Sequence, residues 1–214
     1  MCANRTITAG LAETTETRAV IGLDHESGGF RPAVEYARQN GISALRFVSG
    51  DVFALPFRDS AFDAALAHSI LEAVRNLLEA IGEIRRVLKP GGLIGAASVD
   101  YGGLLISGDA SGLLADFYEL RKQLWEASEV GFPNRGRSLR SMLHEAGFRR
   151  ISASARYLSY GTPSEVRSFG LERARERARG DFRVAVLAHG LAEGATLEAM
   201  EKRGESGVPP REPF

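Results

Sequence analysis

Short apolar runs alternate with amphipathic stretches over the first hundred residues. Residues 19–24, AVIGLD, form an apolar run ending in an acid, the pattern of a buried parallel strand that enters a loop at its carboxyl end. GGFRPAVEYARQNG follows, with Phe30, Val34 and Ala37 three to four residues apart and Asn40 and Gly41 at its close, which predicts a helix and its C-cap. SALRFVSGD predicts a second strand through Val48. AFDAALAHS, residues 61–69, predicts a third that begins after the turn-rich PFRDS. From Arg75 to Lys89, Leu77, Leu78, Ile81, Ile84, Val87 and Leu88 keep helical spacing until PGG at 90–92 stops the helix. LIGAASV, residues 93–99, then supplies a fourth strand. Strands and helices alternating at this length imply βα units and an α/β fold with a mostly parallel sheet covered by helices.

Beyond Tyr101 the pattern loosens. A glycine-rich loop, GGLLISGDASG, leads to a helix over 113–130 that contains Phe117, Leu120, Leu124 and Trp125. A second helix covers 137–146 and ends at Gly147, and a strand of alternating character spans 151–160. TPSEV at 162–166 predicts a helix start, with Thr162 as cap, Pro163 in the first turn and Glu165 as the returning acid. The mixed charges of LERARERARG read as a solvated helix face, and the tail GESGVPPREPF is expected to fray.

Composition narrows the function classes. The 214 residues fit one domain or a domain with an appendage, and 44% hydrophobic against 25% charged residues is ordinary for a soluble globular chain. Lys+Arg and Asp+Glu both number 27, so no net field draws the chain toward nucleic acid or an anionic membrane. The lone cysteine, Cys2, excludes an intrachain disulfide and a structural zinc site built on thiolates, and no metal site is predicted. No apolar run has signal or membrane-spanning length, so a cytoplasmic location is expected. HExxH, GxSxG, CxxC and P-loop patterns are all missing from the sequence, which leaves hydrolase and triphosphatase readings without support.

In an open α/β sheet ligands bind beyond the carboxyl ends of the strands, where Asp24, Asp51 and His68 are predicted. A carboxylate there can accept both hydroxyls of a ribose, which suits Asp24; the alternative is a loop acid capping the next helix. Asp51, in SGDVFALPF, can accept an exocyclic amine of adenine while Val52 and Phe53 shield the ring, or it can be a plain turn acid. His68 can position a substrate or take a proton near neutral pH, or serve as a packed strand-end histidine. Tyr101, Trp125, Tyr157 and Tyr160 can line an acceptor pocket or fill core. His144 reads as a surface residue.

GDVFALPFRDSAFDAALAHSILEAV followed by IGEIRRVLKPGG resembles the middle of a class I S-adenosylmethionine-dependent methyltransferase. The resemblance covers roughly residues 6–160 and implies a seven-stranded Rossmann-like sheet with its last strand antiparallel. It makes residues 1–160 a cofactor-binding core and residues 161–214 a helical extension with a flexible tail. By the resemblance, Asp24 meets the cofactor ribose, Asp51 and Val52 the adenine, and Ala67 and His68 the methionine end, with His25 a further cofactor-binding candidate. His68 and Tyr101 are the catalytic candidates for an acceptor that must lose a proton. The implied function is methyl transfer from S-adenosyl-L-methionine to a small-molecule acceptor, with neither nucleic acid nor membrane as partner. A nicotinamide oxidoreductase would share the sheet and the acid, but GxGxxG is missing between first strand and helix.

The departure lies at the amino end. The family has a first strand and a glycine-rich turn, xLDxGCGxG, just before its first helix. TITAGLAE resembles that helix, so residues 2–5, CANR, fall in the register of the turn, with Ala3 and Arg5 in place of glycines. Glycine lets the backbone approach a cofactor through conformations costly for other residues. Cys2 and Ala3 complete the cofactor-binding candidates. The first strand is expected to be missing or substituted, either by residues 4–10, NRTITAG, or by pairing or swapping between two chains in a homodimer. The alternative function is a non-catalytic methyltransferase-like domain acting in protein interaction or oligomer assembly.

Overall fold

The computed structural model describes residues 7–14, 19–25, 30–107, 112–129, 131–162, 164, 165, 169 and 180–206. The chain forms two compact units, Met1–Ala65 with Leu78–Ile94, and Leu66–Leu77 with Gly95–Phe214.

In the first unit, α1 (Ile7–Thr14), β1 (Val20–Asp24), α2 (Arg31–Gln39) and β2 (Leu45–Ser49) follow one another. β1 and β2 are parallel, with Val20 opposite Leu45 and Asp24 opposite Ser49, so their carboxyl ends coincide. Ala9, Val20, Ala37 and Leu45 make a small core, with Leu11, Tyr36, Ile42 and Phe47 packed around it. Gly22 lies opposite Phe47, and a Cβ at Gly22 would come within 2.7 Å of that ring. The ring needs the space because its other neighbour is Phe30, stacked at a centroid distance of 5.0 Å. α2 ends as its sequence predicts: Gly41 has φ +68° and the Ile42 N–H donates to the Ala37 carbonyl at 2.9 Å.

β3 (Phe62–His68) and β4 (Leu88–Ala97) make the second strand pair, and α3 (Leu77–Val87) runs directly into β4. The Ala61 N–H donates to the Val87 carbonyl at 2.8 Å, and the Ser69 N–H to the Ala97 carbonyl at 2.9 Å, so β3 and β4 run in the same direction. Four strands are thus present among the described residues, in two pairs and not in one seven-stranded sheet.

Three expectations need correction. The helix expected to run to Lys89 ends at Val87 and the strand expected to start at Leu93 starts at Leu88, so PGG lies within β4; Gly91 turns the chain at φ +78°, and Gly92 packs where a Cβ would lie 3.2 Å from the Asp63 carbonyl oxygen. Of residues 4–10, the described part, Ile7–Gly10, is the first turn of α1 and not a substitute strand, and there Ala9 buries its methyl group against the core; residues 4–6 lie outside the described residues. Residues 151–160 form no strand: the alternating pattern needs a ladder partner, no described strand pairs with it, and Leu158 stays 86% exposed.

In the second unit, α4 (Leu113–Ser128) is followed by α5 (Leu139–Glu145), α6 (Gly180–Ala188) and α7 (Gly194–Ser206). Phe117 and Tyr118 of α4 pack with Val186 of α6 and with Leu197 and Met200 of α7. Gly147, at φ +93°, closes α5 as expected, with the Phe148 N–H donating to the Leu143 carbonyl. The predicted helix start at Thr162 has its reciprocal bonds: the Thr162 N–H donates to Glu165 Oε2 (2.9 Å), and the Glu165 N–H to Thr162 Oγ1 (3.3 Å). The LERARERA stretch lies outside the described residues, and of the tail GESGVPPREPF the first three residues, Gly204–Ser206, end α7 while 207–214 lie outside the described residues.

Candidate functional site

The parallel register of β1 and β2 delivers two acids to neighbouring strand ends. The Gly50 N–H extends the ladder by donating to the Asp24 carbonyl at 3.0 Å. Gly50 is required by close approach, because a Cβ there would lie 2.9 Å from the Pro56 ring and 3.1 Å from Leu23. Asp51 follows at once and folds the chain back through a bridge to Ala54. Its Oδ1 accepts the Phe53 N–H at 2.9 Å, as in an Asx turn, and its second oxygen has no protein partner among the described residues. Asp24, His25 and Asp51 are exposed, and Val52 is half-buried. This first-unit group therefore offers solvent-facing carboxylates on a fixed backbone.

Arg86, on α3, fixes the loop beyond Asp51, and sequence reasoning did not single it out. Its Nε and Nη2 donate to the two oxygens of Glu83 (2.8 Å each), Nη1 to the Phe57 carbonyl and to Asp59 Oδ1 (2.8 and 2.7 Å), and Nη2 to the Leu55 carbonyl (3.0 Å). Glu83 Oε2 also accepts the Leu55 N–H at 3.0 Å. The hydrogen bonds it donates to Glu83 and then Asp59 raise the guanidinium pKa above its ordinary value. The i,i+3 spacing of Glu83 and Arg86 in EIRR was the one readable signal.

The other predicted residues belong to the second unit. Ala67 is buried near the end of β3, His68 is exposed beside it, and Ser69 turns the chain at φ +52°. A short 3-10 turn, Leu71–Ala73, comes next, with Leu71 fully buried. Glu72 is only 7% exposed; its Oε2 accepts the Ser98 hydroxyl at 2.5 Å, and its carbonyl accepts the Phe132 N–H at 2.7 Å. Tyr101 follows β4 and is held by its N–H, which donates to the Pro133 carbonyl at 2.8 Å. Its ring meets Tyr118 at 5.9 Å and Trp125 edge-on at 5.1 Å, which makes it a wall of the helical cluster. Its hydroxyl has no hydrogen-bond partner among the described residues. Asp100 accepts three bonds from Arg137: the backbone N–H at 2.9 Å, Nε at 2.8 Å and Nη2 at 2.7 Å. Those bonds hold the Asp100 carboxyl below its ordinary pKa. Tyr157 is exposed and fills no core, and Tyr160 stacks on Phe169 at 4.3 Å. Cys2 and Ala3 lie outside the described residues.

Residues 2–95 match the family model described as a methyltransferase domain. Over 77 residues the chain is 46% identical to the sterol 24-C-methyltransferase ERG6B of Gibberella zeae, a match spanning 36% of this chain and 20% of that protein. Over 95 residues it is 32% identical to the demethylmenaquinone methyltransferase of Renibacterium salmoninarum, spanning 44% of this chain and 40% of that one. The matched region thus spans less than half the length of either relative. In three dimensions the [4+2]-cyclase SpnF matches with a TM-score of 0.53 at 24% identity, over 92% of this chain and 63% of SpnF, a likeness of fold alone. These sequence matches support a methyltransferase domain of the class I S-adenosylmethionine-dependent kind over residues 2–95, and the likeness to SpnF supports a Rossmann-like α/β fold. No helix among the described residues is long and apolar enough to cross a membrane.

Proposed function

We propose that the chain binds S-adenosyl-L-methionine and transfers a methyl group to a small-molecule acceptor. One observation carries the reading: the register of β1 and β2 and the Gly50 to Asp24 bond bring two exposed carboxylates to adjacent strand ends. That pair of acceptors suits the cofactor, Asp24 accepting the ribose hydroxyls and the open oxygen of Asp51 the adenine amine, with His25 and Val52 beside them. Ala67 and His68 are proposed for the methionine end, and Cys2 and Ala3 for the turn before α1. When bound, the cofactor supplies an electrophilic methyl group on a sulfonium sulfur.

The chain's own contribution is to hold the acceptor in line and keep water out. His68 and Tyr101 are the proposed proton acceptors for an acceptor heteroatom that must lose a proton, at an imidazole nitrogen or at the phenolic oxygen. By name, the relatives act on a sterol and on demethylmenaquinone, which supports a small-molecule acceptor. Calorimetry with S-adenosylhomocysteine tests the proposal. Saturable binding is expected, and Asp24→Ala should weaken it on the order of ten- to hundredfold, the worth of hydrogen bonds to a charged group. Absence of binding at millimolar cofactor would overturn it.

A second reading, a non-catalytic domain in protein interaction or oligomer assembly, is favoured by one feature. Each strand pair has backbone edges that no described strand covers, and such edges recruit other chains. A homodimer that closes the sheet belongs to this reading. Light scattering of the purified chain separates the two, because obligatory assembly without cofactor affinity would favour the second.

A further inference from the structure

We propose that the methyl acceptor carries an oxyanion and that Arg135 receives it, an inference that rests on the methyltransferase reading above. The loop that bears Arg135 is tied to the segments that follow β3 and β4. The Phe132 N–H donates to the Glu72 carbonyl at 2.7 Å, Pro133 accepts the Tyr101 N–H at 2.8 Å, and Arg137 grips Asp100. Those segments leave the carboxyl ends of their strands, the side of an open α/β sheet where ligands bind. Arg135 is thereby carried on backbone tied to Tyr101 through Pro133 and to the turn at Glu72 through Phe132.

Two arginines on the same segments, Arg137 and Arg75, already have acids. Arg137 takes Asp100 at 2.7 Å, Arg75 takes Glu129 at 3.1 Å, and the buried Glu72 carboxylate is turned to Ser98. Arg135 has no carboxylate among the described residues. Its guanidinium lies 4.0 Å above the Phe132 ring, Nη2 makes one long bond of 3.3 Å to the Val74 carbonyl, and Nε is buried without a hydrogen-bond partner. Burial alone pushes the guanidinium pKa below its ordinary value, the mark of a cation without a counter-charge.

A guanidinium has five donors in a planar fork, and a partly desolvated one left uncompensated is costly. A neutral side chain would pack on Phe132 without that cost. An oxyanion from a ligand supplies the missing partner, and a carboxylate matches the fork in a bidentate arrangement.

The test uses the full chain, titrated with benzoate, with benzamide as its neutral isostere and with phenyl phosphate, each with and without S-adenosylhomocysteine. Wild type should bind benzoate saturably and in preference to benzamide. Arg135→Met, which keeps an apolar stem on Phe132, should lose affinity for benzoate on the order of tenfold or more while its melting temperature and cofactor affinity stay unchanged. Arg135→Lys keeps the charge without the fork and should fall between, which preserves the test if the methionine variant does not fold. Phenyl phosphate bound more tightly than benzoate, with the same dependence on Arg135, would support the oxyanion and assign it as phosphate. Equal binding of benzoate and benzamide, or equal benzoate affinity in wild type and in either variant, would overturn the proposal. Arg135-dependent benzoate binding without cofactor binding would instead overturn the methyltransferase reading and leave the anion site standing.

Discussion

Arg86 and Arg135 each sit beside a loop that follows a strand, and they use their donors in opposite ways. Arg86 gives its donors to Glu83, Asp59 and two backbone carbonyls, so the loop after Asp51 is closed from within by its own chain. Arg135 touches an aromatic ring and one distant carbonyl and keeps a buried donor unused. The first arrangement is what a scaffold needs, since every polar group that meets the guanidinium is satisfied without a ligand. The second leaves hydrogen-bonding capacity at a position that the backbone has already fixed. Within one molecule, the state of an arginine's donors separates a brace from a candidate ligand contact.

Apolar support under the second loop gives the largest effect with which to break this comparison. The carbonyls of Glu72, within the 3-10 turn, and Val74, just after it, meet Phe132 and Arg135, and the turn is anchored by Leu71, which is fully buried. Leu71→Ala should cost about 2–5 kcal/mol of stability in urea denaturation, as buried leucine truncations do. A loss of less than about 1 kcal/mol would mean that the turn is held by its polar bonds and not by the leucine.

The two arginines themselves come next in size. Arg86→Met leaves the Leu55 and Phe57 carbonyls and the Glu83 carboxylate without their donor, so the melting temperature should fall by several degrees. Arg135→Met removes a cation that has no counter-charge and should shift the melting temperature little in either direction. A reversed order would make Arg135 the brace and Arg86 the dispensable group.

Much of the first unit was legible because its signals are local. β1, α2, β2 and β3 follow from apolar runs and turn residues a few positions apart, and the reciprocal bonds of Thr162 and Glu165 follow from a four-residue pattern. The strand expected over 151–160 failed because alternation states a preference, whereas a strand needs a partner that lies elsewhere in the chain. The Arg86 clamp was hidden for a related reason: its acceptors at Leu55 and Phe57 are backbone carbonyls, which every residue possesses and no sequence marks. Asp24, Asp51 and His68 were placed at strand ends by pattern alone, and they stand there. The lack of a partner for Arg135 could not be read at all, since it depends on where Glu72 and Asp100 turn.

The smallest effect concerns the pair that pins the second loop to the end of β4. Asp100 ordinarily titrates near 3.8, and its bonds to Arg137 hold it lower in the folded chain. A carboxyl depressed on folding contributes stability that is present above its unfolded pKa and is lost as pH falls through its folded value. Asp100→Asn should therefore melt below wild type at neutral pH, by a small margin because Arg137 is more than half exposed. As pH falls below 3.8 and on through the lower folded value, the margin should narrow, since acid removes from wild type what the substitution has already removed. Other carboxyls titrate over the same range, but they do so in both proteins, so the difference between the two melting curves isolates this pair. A margin that stays constant to the acid limit would place its origin in the shape of the loop and not in the charge of Asp100.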